Sequence, residues 1–251
     1  MKEFISVANQ LADAAGDVIC KYYRQPIPVD LKSDNSPVTK ADQEAEKAMH
    51  RLIHKHFPQH GIIGEEYGVQ NEGAKYVWVL DPIDGTASFI AGRPIFVTLI
   101  ALLHKGKPIL GIIDQPITKE RWYGDGKIAT LNSKPIHVRE CSCLEDAVLA
   151  TTGPQYFTPE GKTFFDSVSA KVRRTVYGGD GYNYAMLASG HIDVVIEEGL
   201  KLHDVMALIP IIEGAGGKIT DWKGNDIAYG QKSYSICATG HALHRLITIH
   251  D

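Results

Sequence analysis

The chain has 251 residues, 44% of them hydrophobic, and 26 basic against 30 acidic side chains give a formal net charge of −4. That length is ample for a sizeable core in one large or two smaller domains, and the mild negative charge, with no long run of one sign, suggests no nucleic-acid footprint. The four cysteines form no CxxC pair, which argues against a disulfide framework or zinc cluster and fits a reducing compartment. No signal peptide or membrane span is visible, so a cytoplasmic protein that binds no membrane is expected.

Phe4, Val7, Ala8, Leu11, Ala15, Val18, Ile19 and Tyr22 recur on one face and predict a helix over 3–24, ended by Pro26 and Pro28. Two short extended pieces, 29–32 and 38–40, are expected to pair around the turn-rich stretch Ser33-Asp34-Asn35-Ser36-Pro37. A second helix is expected from 39 or 41 to about 56, with Ala41, Ala45, Ala48, Met49, Leu52 and Ile53 inward. Ile62-Ile63 leads into Gly64-Glu65-Glu66. The run Val77-Trp78-Val79-Leu80 reads as a buried strand and ends at once in Asp81-Pro82-Ile83-Asp84-Gly85-Thr86. Two aspartates at the end of a buried strand are costly unless something positive lies between them, and a divalent metal would meet that need.

Strands follow at 95–103 and 108–114, joined by Lys105-Gly106-Lys107 as a hairpin turn, then another at 119–123 and a turn at 124–126. Residues 127–145 are polar and less regular. A boundary near 135 divides an N-terminal subdomain, 1–135, from a C-terminal one, 136–251. The second holds a strand at 147–151, a helix at 160–170, an extended piece at 173–177, a helix at 181–189 and a strand at 192–196. A helix over 204–213 tolerates Pro210 only with a local distortion. Strands beginning at 218 and 234 and a terminal helix complete the chain. The alternation predicts an α/β fold of mixed sheets layered with helices.

The acidic candidates are Glu65, Glu66, Asp81, Asp84 and Asp204. Oxygen donors with no competing Cys or His cluster suit a hard cation such as Mg²⁺. Taken singly, each is more often a solvated turn carboxylate, and spacing alone does not bring Asp204 to Asp81. The juxtaposition of Asp81 and Asp84 with a strongly apolar strand is the specific part of the pattern.

Asp81-Pro82-Ile83-Asp84-Gly85-Thr86 resembles the signature of the inositol monophosphatase superfamily of metal-dependent phosphatases. Gly64-Glu65-Glu66 lies upstream as that family's first metal glutamate does, and Asp204 with Glu213-Gly214-Ala215-Gly216-Gly217 resembles its second signature. The resemblance covers essentially the whole chain. It implies an αβαβα sandwich of the inositol monophosphatase and fructose-1,6-bisphosphatase type, a homodimer, and two to three Mg²⁺ ions. It also implies metal ligands at Glu65, Asp81, the Ile83 carbonyl, Asp84 and Asp204. Thr86, with Glu65 or Asp84, would orient a water for in-line attack on phosphorus, and the backbone N–H groups of Gly85 and Thr86 would receive phosphate oxygens. Glu66 either supports the site from behind or is structural.

Three further runs resemble the histidinol-phosphate phosphatase branch: 92–102, 111–122 and 177–190. Asp180 and Glu197 are then the substrate-binding candidates, able to pair with the ammonium of histidinol or to accept from a polyol. Asp180 alternatively caps the helix at 181. Arg174 is a supporting, interface or surface residue, and Trp122 is core or interface. Two departures stand out: His203 replaces an aromatic residue before Asp204, and Ala87 replaces an arginine after Gly-Thr. His203 is expected to pack or hydrogen-bond rather than act as an acid or base. The expected activity is hydrolysis of a small alcohol phosphate, with histidinol phosphate first, inositol monophosphate or a broader sugar, polyol or nucleotide ester as the alternative, and a non-enzymatic binding module as the rival class.

Overall fold

The structure is a computed structural model and describes residues 1–26, 28–31 and 37–248. Lys32 and the stretch 33–36 of the predicted turn lie outside the described residues. The first helix, α1 (Lys2–Tyr22), buries Val7, Leu11, Ala15 and Ile19, as its periodicity predicts. A small antiparallel ribbon, β1 (Val29–Leu31) with β2 (Pro37–Thr39), leads into α2 (Lys40–His56). Thr39 starts that helix: its hydroxyl accepts from the Ala41 N–H, while Asp42 accepts from the Thr39 N–H. Such reciprocal caps fix where a helix begins.

The next strands are β3 (Gly61–Gly64), β4 (Gly68–Gln70) and β5 (Tyr76–Asp84), which runs into the short helix α3 (Thr86–Ile90). Then come β6 (Val97–His104), β7 (Lys107–Gln115), β8 (Glu120–Gly124), β9 (Ala129–Leu131) and β10 (Lys134–Pro135). They form one sheet in the order β10-β9-β8-β7-β6-β5-β3-β4. Neighbours are antiparallel except β3 and β5, which are parallel. The polar region expected to be irregular thus contributes two strands. Asn132 and Ser133 between them both sit at positive φ, the backbone of a two-residue hairpin, so turn chemistry hid the pairing.

The remaining elements are β11 (Val148–Thr151), α4 (Pro159–Ser169), β12 (Arg174–Tyr177), α5 (Asp180–Ala188) and β13 (Val194–Leu200). They are followed by α6 (Leu202–Val205), α7 (Leu208–Gly214), β14 (Gly217–Asp221), β15 (Tyr234–Gly240) and α8 (His241–Ile247). The second sheet has the order β12-β11-β13-β15-β14, with β11 parallel to both its neighbours. The single helix expected over 204–213 is two helices. A proline inside a continuous helix would clash with the Met206 carbonyl and leave it without a donor, whereas restarting at Leu208 puts Pro210 in a first turn, where its missing N–H costs nothing.

Strand alternation distributes the core into layers. Trp78, Leu80, Ile100, Leu102 and Ile112 face α1 and α2, while Val77, Val79, Leu99, Ala101 and Ile113 face α5, α6 and α7. Those helices also cover the inner face of the second sheet through Ala150, Val195, Ile236 and Ala238. Its outer face, with Leu149, Val194 and Ile196, is closed by α4 and α8. The result is the layered αβαβα arrangement. The middle helices touch the first sheet closely at Gly111 and Gly124, which pair across β7 and β8. A Cβ on Gly111 would collide with the Ala207 carbonyl, and one on Gly124 with the Ile211 backbone, so only glycine admits α7 at this distance.

Candidate active site

The site forms where β3 and β5 end side by side. Gly64 lies opposite Leu80, and the Glu65 N–H donates to the Leu80 carbonyl at 3.2 Å, so the parallel pairing delivers Glu65 beside Asp81. The β5–β6 register slips between Asp81 and Asp84, and the Ile83 N–H turns back to Asp81 Oδ1 at 3.0 Å. That bulge gathers both aspartates at one strand end. Opposite them, α6 brings Asp204, whose Oδ2 accepts from the Lys201 N–H at 2.7 Å. Asp81, Asp84 and Asp204 each present an oxygen within 4.8 Å of the others, and Glu65, Asp81 and His203 form a second such group. His203 Nε2 lies 3.4 Å from Asp204 Oδ1 and 3.9 Å from Glu65 Oε1, so it rims the carboxylates rather than only packing.

Burial, and then the neighbouring carboxylates, push this cluster upward. Asp81 is raised well above the usual carboxylate range by burial and by Glu65, Asp84 and Asp204. Asp84 is raised likewise by burial and by Asp180 and Asp204, and Asp204 rises by burial despite the favourable His203. Mutually repelling buried carboxylates are the condition a divalent cation relieves. Their all-oxygen donors fit a hard ion, so the residues present suit Mg²⁺.

Thr86, the first residue of α3, places its hydroxyl 3.0 Å from the Ile83 carbonyl and 3.2 Å from Asp42 Oδ1. Gly85 precedes it at φ +88, a conformation glycine adopts without penalty, and a Cβ there would lie 2.6 Å from Asp180 Oδ2. Asp42 is a residue that sequence reasoning missed. It is fully buried on α2, and burial pushes its carboxyl up. One turn later Glu46, also fully buried and also missed, accepts from the Glu66 N–H at 2.8 Å and the Tyr67 N–H at 3.0 Å. The signal was present: Asp42 and Glu46 are four apart on the face marked by Ala41, Ala45 and Met49. An acidic i, i+4 pair on an apolar face demands partners. Glu66 therefore takes part through its main chain, which Glu46 holds in place beside Glu65.

A cavity of about 30 Å³ adjoins the carboxylates, lined by Asp84, Thr152, Asp180, Gly181, Tyr184, Glu197, Leu200 and Asp204. Glu197 is buried; its Oε1 accepts from the Thr152 N–H and hydroxyl, and Oε2 from Thr151. Burial raises its carboxyl to about 8. Asp180 begins α5 at φ +44, following the N-cap Gly179; burial and Asp204 raise its carboxyl to about 6, against the pull of Arg93. A non-glycine residue held at positive φ on the wall of a cavity is a mark of a functional position. Of the other candidates, Trp122 is core, its indole donating to Ser189, while Arg174 is exposed on the edge strand β12 and Ala87 is exposed on α3. A larger open groove of about 780 Å³, between α1 and β7–β9, shares no residue with this cluster. Size does not locate the chemistry here; the buried carboxylates do.

The model of the inositol monophosphatase family matches residues 1–250. The chain is 52% identical over 242 residues to the bifunctional phosphatase IMPL2, chloroplastic, of Arabidopsis thaliana, covering 95% of this chain and 70% of that one. It is 33% identical over 223 residues to a histidinol-phosphatase of Chlorobaculum parvum, covering 88% and 86%. Among solved structures, an inositol monophosphatase from Zymomonas mobilis superposes with a TM-score of 0.90 at 45% identity, covering 98% of this chain and 96% of that one.

Proposed function

Because the chain belongs to the inositol monophosphatase family, whose members hydrolyse phosphoric monoesters, we propose that it is a Mg²⁺-dependent phosphatase of a small alcohol phosphate, L-histidinol phosphate first. The observation that carries the substrate reading is the cavity beside the carboxylate cluster. Its carboxyl side chains are Asp84, Asp180, Glu197 and Asp204, with no cation among the lining residues. An alcohol bearing an ammonium complements such a lining, whereas an anionic alcohol does not.

In this reading Glu65, Asp81, Asp84, Asp204 and the Ile83 carbonyl hold two to three Mg²⁺ ions. Bound there, Mg²⁺ lowers the pKa of water and neutralises phosphoryl charge. The protein's own groups do the rest. The backbone N–H groups of Gly85 and Thr86 receive phosphate oxygens at the start of α3. The Thr86 hydroxyl, donating toward Asp42 or Ile83, turns its lone pairs outward to accept from the attacking water and so orients it. Asp180 and Glu197 hold the alcohol, which sets the ester for in-line displacement.

An inositol monophosphatase activity is the second reading, favoured by the likeness to the Zymomonas mobilis structure. A panel of histidinol phosphate, inositol monophosphate, fructose bisphosphate and adenosine bisphosphate decides between them. A preference of tenfold or more, about 1.4 kcal/mol in transition-state discrimination, supports a dedicated substrate; anything less favours a broad phosphatase. The reading also takes the chain as a homodimer, which light scattering on the purified protein tests. A cytoplasmic location rests on the free Cys20, Cys141, Cys143 and Cys237 and on the absence, among the described residues, of any helix long and apolar enough to cross a membrane. Cell fractionation tests it.

A further inference from the structure

The two metal-binding groups of the site differ in one donor. Asp81, Asp84 and Asp204 offer oxygen alone, whereas the group on the Glu65 side joins Glu65 and Asp81 to a ring nitrogen of His203, all within 4.8 Å of one another. His203 stands on α6 directly before Asp204. The Lys201 N–H engages Asp204 Oδ2, so that Oδ1 is the oxygen 3.4 Å from His203 Nε2. The side chains of His203 and Glu65 are largely covered, at 12% and 15% exposure, and Asp81 is buried. Nε2 lies 3.4 Å from Asp204 Oδ1 and 3.9 Å from Glu65 Oε1, both beyond the roughly 2.7–3.2 Å of an ordinary N–H···O hydrogen bond. An ion with bonds of about 2.0–2.2 Å holds its ligands about 3–4 Å apart, which is the spacing seen here.

We propose that His203 is a metal ligand, and that Glu65, Asp81 and His203 form a site selective for a borderline divalent ion of the Zn²⁺ and Co²⁺ class over Mg²⁺. The inference rests on the metal centre of the phosphatase reading and names which of its ions a transition metal replaces. Mg²⁺ takes oxygen donors and gives up water reluctantly. Imidazole favours the later transition ions, whose affinity rises along the Irving–Williams order. Two carboxylates and one imidazole make a three-ligand set that keeps a further position for water or a phosphate oxygen. Asp81 belongs to both groups, so its carboxylate is shared, and the all-oxygen side of Asp84 and Asp204 stays suited to Mg²⁺. The aromatic side chain expected before Asp204 would only wall the site; histidine in its place turns that wall into a donor.

Co²⁺ is the probe, because its paramagnetism reports its ligands. One equivalent is added to the Mg²⁺-loaded protein. The wild type is expected to bind Co²⁺ about 100-fold more tightly than Mg²⁺ by calorimetry, and its proton NMR spectrum should gain the hyperfine-shifted ring signals of one imidazole. His203→Phe keeps an aromatic ring. It should lose those signals and about tenfold or more of the Co²⁺ affinity, with Mg²⁺ affinity changed less than about threefold. If melting in EDTA shows that the phenylalanine variant has not folded, His203→Gln makes the same comparison. Imidazole signals that survive the substitution overturn the proposal, as does a wild type that binds Co²⁺ no better than Mg²⁺. So do Co²⁺ and Mg²⁺ affinities that fall together, the result of a histidine that merely steadies Asp204. These readouts need no substrate. A wild type without phosphatase activity in Mg²⁺ refutes the phosphatase reading, and the titrations still decide the role of His203.

Discussion

Asp42 Oδ1 lies 3.2 Å from the Thr86 hydroxyl, joining the first turn of α2 to the first residue of α3 across 44 positions of sequence. The other oxygen of Asp42 accepts from the Thr39 N–H at 2.8 Å and the Thr39 hydroxyl at 2.6 Å. One carboxylate therefore caps a helix and offers the Thr86 hydroxyl an acceptor beside the Ile83 carbonyl.

Asp42→Asn separates those two duties. The Thr39 N–H demands an acceptor, so the amide oxygen takes that side and the NH₂ faces Thr86, reversing the bond. Turnover is expected to fall about 100-fold or more, the scale of a positioned proton acceptor, while the helix cap survives. Steady-state kinetics at saturating Mg²⁺, with thermal melting alongside, checks this; an unchanged kcat would remove Asp42 from the reaction.

Asp84→Asn removes one of three crowded carboxylates. Activity is expected to drop by more than the roughly 10–100-fold that outer-shell changes produce, since a ligand is lost. Stability should move the other way. In EDTA the variant should melt at or above the wild type, because like-charge repulsion is relieved, and the rise in melting temperature on adding Mg²⁺ should shrink. Normal turnover at low Mg²⁺ would contradict the metal assignment.

Glu46→Gln tests the support behind Glu65. Two backbone donors, from Glu66 and Tyr67, converge on the two oxygens of Glu46, and glutamine offers only one. The loop carrying Glu65 loosens, so the Mg²⁺ concentration for half-maximal activity should rise about 10- to 100-fold, with kcat at saturating Mg²⁺ much less affected. A Mg²⁺ titration of activity separates the two effects.

His60 supplies a pH-dependent element far from the chemistry. Its ring stacks on Phe57, with centroids 4.5 Å apart, and its Nδ1 accepts from the Trp78 indole at 3.1 Å. Burial lowers its pKa below the usual value of 6.5, against a smaller pull from Glu3. Below that value the unfolded chain binds a proton that the folded chain resists. The contribution is therefore complete above about pH 6.5 and is lost as pH falls from there toward the folded pKa. His60→Phe should cost about 1 kcal/mol at pH 7.5 through the lost indole bond, and should flatten stability between pH 7 and 5. Denaturant unfolding at several pH values measures both.

Much of this arrangement could be read from the chain because it is local. An apolar run ending in Asp81-Pro82-Ile83-Asp84-Gly85 announces a buried strand and a bulge, and the 3.6-residue periods of α1 and α2 announce their inner faces. What could not be read depends on distant partners. Asp42 and Glu46 stand out as acids on the apolar face of α2, but their partners stay hidden until β3 and α3 are placed against it. Asp204 meets Asp81 only through the layering of α6 over the first sheet. The break before Leu208 was foreshadowed by Pro210 as a distortion, but its size is set by how the middle helices press on β7 and β8.

The paired glycines at 111 and 124 act as a gauge block. The first sheet supplies Asp81 and Asp84, the helices lying on it supply Asp204, and the missing side chains on β7 and β8 set how near those two halves come. A single methyl group there would have to be absorbed by lifting α7, and the lift would be transmitted along the chain to Asp204. The spacing of the carboxylates is thus adjustable from positions that never meet them.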